Sequence, residues 1–264
     1  HASCELPPDR FGNNLNDFSI SFGIQSRSNK NRPGTHILSM YKTKGSDERV
    51  FAIKVGPKNN LAITFHVDGT YDNRIEVQTS DFVDTRNSNS DMLVMNRNLN
   101  DVLITYNKSE VKVYINGIED IGASVEIYGP TSYWTEETTL HKSTDSTFTI
   151  AASGDKNKTF TGFIDDVILF NEALDITSAE LVAADDFVLS KNVALKSKAA
   201  HWWRMGDDNN DKVSKENSIS SQSNRIYDQI GVSHLTPQRF RSASSGIHDV
   251  KKYPDGFIDD LVEM

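Results

Sequence analysis

Phe18, Ile20, Phe22 and Ile24 alternate with Ser19, Ser21 and Gly23, and a period of two predicts a β-strand with one apolar and one wet face. Ile37 to Tyr41 and Val50 to Val55 continue the pattern, and 56–60 (Gly-Pro-Lys-Asn-Asn) supplies a turn into a further strand from Leu61 to Val67. Val102 to Tyr106 and Val111 to Ile115 form a second run of paired strands. Asn116-Gly117 follows them at once, and this dipeptide accepts the positive φ angles of a type I′ hairpin turn. Phe148 to Ala152 and Phe163 to Phe170 add two more strands. Strands at this spacing with no helices between them predict an antiparallel sandwich rather than an α/β sheet.

One helix is expected. Thr177-Ser-Ala-Glu180 has the spacing of a capping box and predicts a short helix reaching about Phe187. After residue 190 the chain becomes polar. His201 to Met205 reads as one more strand, but 207–224 is almost wholly Asp, Asn, Ser and Lys. We therefore divide the chain into a sandwich over 1–190 and a C-terminal extension over 191–264 that packs on the sandwich or on a partner.

Composition narrows the partners. Of 264 residues, 37% are hydrophobic and 9% aromatic, enough for a packed core. Acids outnumber bases 37 to 28, which argues against nucleic acid and against docking on anionic membrane, since both need clustered Lys and Arg. Cys4 is the lone cysteine, so no internal disulfide framework exists.

Two sets of residues carry a resemblance. Asp101-Val-Leu-Ile-Thr-Tyr106 through Val111-Lys-Val-Tyr-Ile-Asn-Gly117, with Phe148-Thr-Ile-Ala-Ala152, Phe160 through Leu174, and Asp17-Phe-Ser-Ile-Ser-Phe22, resembles the laminin G-like concanavalin A-type domains. The resemblance covers roughly 15–185 and implies an all-β, antiparallel jelly-roll sandwich. Ala199-Ala-His-Trp-Trp-Arg-Met-Gly-Asp207, then Ile226-Tyr-Asp-Gln-Ile-Gly231 and His234-Leu-Thr236, is similar to a tail that follows such domains in tailed-phage structural proteins. That likeness implies a non-catalytic virion component (capsid decoration, fibre or tail) on the particle surface, with other virion proteins and copies of itself in a symmetric assembly as partners. Host-surface glycan is a further candidate partner. The chain departs from the family by entering the sandwich without an extra N-terminal strand. The segment near Leu235 is expected to fill that place from the C-terminal side.

Catalytic chemistry finds no residues. Retaining glycosidases of this fold use Glu-x-Asp-x-x-Glu on one strand, and no Glu here has an Asp two positions later. A lyase using Tyr, His or Arg stays open. The seven His residues lack zinc-ligand spacing. Calcium is the candidate cofactor, because the resemblance implies a cation near Asp165 and Asp166 with Asp17 completing the site; the alternative is a buried Asp accepting turn amides. Neighbouring strand residues point to opposite faces, so Asp165 and Asp166 are not expected to share one ion readily. Asp207, Asn209 and Asp211 mimic an EF-hand opening, but Lys212 replaces its Gly and Ser218 its Glu. For carbohydrate, flat aromatics beside amide and charged groups are needed. Tyr133 and Trp134 in a polar loop are the first candidate, and Tyr71 with Asp68, Asp72, Asn73 and Arg74 the second. Trp202 and Trp203 are adjacent, so one is expected to face the core and the other an interface.

Overall fold

A computed structural model describes residues 2–5, 11, 14–26, 31–42, 48–58, 60–67, 72–80, 100–108, 110–129, 140–141, 146–151, 160, 162–184, 187–204, 226, 228–231 and 233–237. Two antiparallel sheets face each other. The larger runs in the order β11 (Ser124–Tyr128), β7 (Arg74–Gln78), β6 (Leu61–His66), β5 (Arg49–Val55), β4 (His36–Tyr41), β13 (Thr147–Ile150), β1 (Ala2–Glu5), β16 (Thr236–Pro237). The smaller runs β10 (Ile118–Glu119), β9 (Val111–Ile115), β8 (Asn100–Asn107), β3 (Asp17–Ser26), β14 (Gly162–Phe170), β15 (Ala199–Trp203). A two-stranded pair, β2 (Asn14–Leu15) with β12 (Leu140–His141), completes the strands.

Alternation decides what goes between the sheets. Phe18, Ile20, Phe22 and Ile24 of β3 meet Phe51, Ile53, Phe65 and Ile75 of the larger sheet, all buried. Aromatic rings fill the centre: Phe18 stands edge-on to Phe11 and Phe65 and within 5.3 Å of the Tyr106 ring. Between β9 and β10, Asn116 at φ 51° and Gly117 at φ 79° make the expected two-residue turn, returning Ile118 opposite Ile115.

The other face of β3 is dry, contrary to the pattern's reading. Ser19 and Ser21 are buried because a second apolar layer covers that face: Leu174, Ala179, Val182, Leu189 and Leu195 pack on Leu103, Ile168 and Phe170. Ser19 fits there by bonding main chain, donating to the Glu172 carbonyl at 2.7 Å and accepting from Leu174 N at 2.9 Å. The layer comes from α1 (Ile176–Val182) and α2 (Val193–Lys198) with a short 3-10 turn between them. The cap of α1 is Asp175 rather than Thr177. Its carboxylate accepts from Ser178 N at 2.9 Å, so the helix starts and ends earlier than the capping box suggested.

The N-terminal strand expected to be missing is present as β1, between β13 and β16. The segment near Leu235 does enter the sheet, but beside β1 rather than in its place. Thr236 lies opposite Ser3, and Leu235 bridges Ile226. β15 likewise extends the smaller sheet next to β14. The described part of the chain after residue 190 is thus hydrogen-bonded into both sheets.

Candidate functional site

The described half of one carbohydrate candidate lies at the free end of the larger sheet. β7 alternates Ile75 and Val77 into the core with Arg74, Glu76 and Gln78 on the outer face. β11 lies against it in unbroken register, Ser124 opposite Gln78, Glu126 opposite Glu76 and Tyr128 opposite Arg74. Directly opposed residues share a face, so these side chains form one polar cluster. The Arg74 guanidinium lies 3.8 Å from the centre of the Tyr128 ring. Arg74 Nε donates to Glu76 Oε1 at 2.6 Å, and the Tyr128 hydroxyl donates to Glu126 Oε2 at 2.6 Å. That bond to Glu126, followed by the charge of Glu76, raises the Tyr128 hydroxyl above its ordinary range. The two facing carboxylates would repel; Arg74 and the Tyr128 hydroxyl separate their loads.

The chain enters this cluster through exposed Asp72 and half-buried Asn73, whose carbonyl accepts from Val67 N at 2.9 Å. It leaves through Gly129, at φ 98°, where a β-carbon would stand 2.4 Å from Asn73 Oδ1. Only glycine allows the two segments to approach this closely. Asp72, Asn73 and Arg74, three of the residues named for the second candidate, thus stand at the entry to this cluster. Tyr71, Asp68, Tyr133 and Trp134 lie outside the described residues, as do Asp207, Asn209 and Asp211. Sequence reading missed Glu76, Glu126 and Tyr128, although Arg74-Ile-Glu-Val-Gln78 and Ser124-Val-Glu-Ile-Tyr128 both alternate with period two and were legible as strands.

A guanidinium, two carboxylates and a tyrosine ring on a rigid sheet supply what polar, ring-faced ligands need: charge-assisted hydrogen bonds and a flat apolar surface. Further across the same face, Tyr41 opposes Arg49, whose guanidinium carbon lies 5.9 Å from the Tyr41 ring centre, and Ser39 bonds Thr149 at 2.7 Å.

The three acids proposed as calcium ligands are not brought together. Asp165 lies opposite Gly23 while Asp17 lies opposite Asn107 at the other end of β3, and six strand residues span about 20 Å. Strict alternation also fails at Asp165 and Asp166, because the strand bulges between Asp165 and Ile168 and Asp166 takes φ 41°. Asp165 Oδ1 accepts from Asp166 N at 2.9 Å, and Asp166 Oδ1 accepts from the Trp202 indole at 2.9 Å. Among the described residues no three His, Cys, Asp or Glu side chains converge on a point.

A second cluster went unseen in the sequence, and it is structural. His201 Nδ1 lies 2.7 Å from Asp228 Oδ2 with both side chains buried. Asp228 also accepts from the amides of Trp202, Ile230, Gly231 and Ser233 at 2.9–3.3 Å. Burial would raise this carboxyl; the His201 bond and charge and the amides outweigh it and hold it below its ordinary value. A β-carbon on Gly231 would meet Asp228 Oδ2 at 2.4 Å and His201 Nδ1 at 2.8 Å, which explains the glycine. The adjacent tryptophans divide as alternation requires, Trp203 into the inter-sheet core and Trp202 beneath the helices. Trp202 thus faces a second internal layer, not an external interface. Cys4 is buried, and burial, then the charges of Asp228 and Glu5, push its thiol well above the ordinary range, so it is a poor nucleophile at neutral pH.

Comparison with known proteins agrees with this architecture. A protein of Bacteroides ovatus ATCC 8483, described as a candidate carbohydrate-binding protein, superposes over 89% of this chain with a TM-score of 0.52 and 13% identity. The chain spans 54% of that protein's length. The native heptameric SAP-like pentraxin of Limulus polyphemus superposes over 71% of this chain and 83% of its own, at 13% identity and a TM-score of 0.45. The CBM40 of Ruminococcus gnavus IT-sialidase, bound to α2,3-sialyllactose, superposes over 64% of this chain and 84% of its own, at 15% identity and a TM-score of 0.43. At such identities the likeness is one of fold. No match to a curated protein is found. The family described as "Concanavalin A-like lectin/glucanases superfamily" matches residues 1–179, and with the two-sheet architecture this places the chain as a member of the concanavalin A-like lectin/glucanases superfamily.

Proposed function

We propose that this chain is a non-catalytic glycan-binding module carried on the surface of a virion. The observation that carries the glycan reading is the register of Arg74 against Tyr128. It sets Asp72, Asn73 and Arg74 beside Tyr128, at the point from which the chain continues toward Tyr133 and Trp134. Tyr133 and Trp134 follow Tyr128 by five and six residues in the chain. The Bacteroides ovatus neighbour, described as a candidate carbohydrate-binding protein, supports the same reading at the level of fold. The non-catalytic reading is supported by the missing Glu-x-Asp-x-x-Glu run. It is also supported by the engagement of Glu76 by Arg74 and of Glu126 by Tyr128.

The virion reading rests on the likeness of 199–207 and 226–236 to tails of phage structural proteins. A physical reason for such a paired motif is that Asp228 of the second run closes on His201 and Trp202 of the first. Two experiments test these readings separately. Glycan arrays probed with the full chain, with and without calcium, are expected to light one glycan class; silence in both conditions refutes glycan binding. Mass spectrometry of purified particles is expected to find the chain in them; its absence refutes the virion placement.

A further inference from the structure

Charge decides which sugars the Arg74–Tyr128 edge can take. On the outer face of β7 and β11, three residues of one strand stand directly opposite three of the other: Arg74 with Tyr128, Glu76 with Glu126, and Gln78 with Ser124. Successive pairs on one face lie about 7 Å apart along the strands. A ligand laid along them meets a ring and a guanidinium, then two carboxylates, then an amide and a hydroxyl.

The balance of these groups is negative. Arg74 is the one cation among the three pairs, and it is already committed. Its side chain, 13% exposed, lies over the Tyr128 ring and donates to Glu76. Glu126 is placed differently. It accepts from the neutral Tyr128 hydroxyl, and among the described residues no Lys or Arg forms an ion pair with it. Glu76 Oε1 and Glu126 Oε2 are taken, so among the described residues Oε2 of the first and Oε1 of the second stand open to a ligand. Exposed Asp72, at the entry to β7, adds a further negative charge. The Tyr128 hydroxyl reports the sum. Its bond to Glu126 and the charge of Glu76 raise it, and Arg74, acting the other way, does not offset them. Arg49 and Lys54 belong to β5, two strands and about 10 Å from β7.

We propose that this edge selects glycans without acidic groups, taking uncharged and amino sugars and refusing sialylated, uronic and sulfated ones. The proposal rests on the glycan reading and names the class of ligand within it. A ligand carboxylate or sulfate on this face would stand beside Glu76 and Glu126, and that repulsion discriminates against it. Sugar hydroxyls instead donate to the two open carboxylate oxygens, in hydrogen bonds that the charge strengthens. An ammonium in place of one hydroxyl brings the cation that Glu126 lacks. A sugar with a free amine therefore binds more tightly here than its N-acetylated twin.

The test is an array carrying uncharged, amino-sugar, sialylated, uronic and sulfated glycans, probed with the full chain. Hits are expected among the uncharged and amino sugars, with the acidic spots silent. Amino sugars are expected to exceed their N-acetylated twins about two- to fivefold in affinity, the worth of one exposed ion pair. Glu126→Gln keeps an acceptor for the Tyr128 hydroxyl and removes the uncompensated charge, so it is expected to abolish the amine advantage and to admit acidic glycans. Glu180→Gln, exposed on α1, makes the same change in net charge and is expected to match wild type. Acidic glycans bound as tightly as uncharged ones overturn the inference and leave the glycan reading standing. So does a selectivity that Glu126→Gln leaves intact, or that both variants alter equally, since net charge alone would then account for it. Silence on every class refutes the glycan reading and the inference together.

Discussion

Replacing Asp228 by alanine is expected to lower stability by about 3–5 kcal/mol, the range for removing one partner of a buried charged pair. The cause is what remains behind. His201 Nδ1 and the amides of Trp202, Ile230, Gly231 and Ser233 would lose their shared acceptor. Asp228→Asn keeps one acceptor oxygen and is expected to lose less. Guanidinium denaturation measures both, as a lower midpoint at unchanged slope. The same residue predicts an acid limit. Its folded carboxyl sits below the unfolded value of about 3.9. Its contribution is therefore complete above that pH and is lost as pH falls through the folded value. The wild-type chain should lose stability on acidification below about pH 4, and Asp228→Asn should lose less over that window. Equal acid sensitivity in the two would contradict the role given to Asp228.

Trp203→Ala is expected to cost about 3–5 kcal/mol by the different route of an unfilled cavity. Trp203 is fully buried, stacked 5.1 Å from Phe148 of the larger sheet and 5.4 Å from His201 of its own. Its indole donates to the Ser233 carbonyl at 2.8 Å. One side chain thus joins both sheets and the C-terminal segment. Trp203→Phe retains the stacking but loses the hydrogen bond and part of the volume, so its thermal midpoint should fall between those of wild type and Trp203→Ala. A change within about 0.5 kcal/mol for Trp203→Ala, as at ordinary surface positions, would contradict this placement.

Strands whose two faces differ were legible in the chain. β3, β5, β8 and β9 lie within a residue or two of where the sequence pattern placed them, because runs of β-branched and aromatic residues between polar turns mark strands. The shortest elements were not. β1, β10 and β16 have two to four residues each, too few for any period, and only their neighbours in the sheet define them. Ser19 and Ser21 read as wet because nothing local foretells that α1 and α2 fold back over that face. Asp175 was passed over as a cap because Thr177 and Glu180 offered a recognisable spacing, whereas the cap is decided by which side chain reaches Ser178 N. The calcium triad failed for a similar reason. Adjacency of Asp165 and Asp166 is visible in sequence, but their register six residues from Asp17 is a property of the sheet.

The candidate site was half legible. Asp72, Asn73 and Arg74 stood out as polar groups beside an aromatic, but their partners Glu126 and Tyr128 lie about 50 residues on and are joined to them only by strand pairing. His201 and Asp228 were both quoted as parts of a recurring motif; their bond depends on the closure of the C-terminal segment over β15.

The most direct test of the central claim is the affinity of the best array glycan for three chains: wild type, Tyr128→Ala, and Val193→Ser on the exposed surface of α2. Loss of one stacked ring is expected to weaken binding tenfold or more, on the order of 1–2 kcal/mol, in Tyr128→Ala. Val193→Ser should match wild type. Equal affinity in all three folded chains would contradict the assignment of glycan binding to the Arg74–Tyr128 edge.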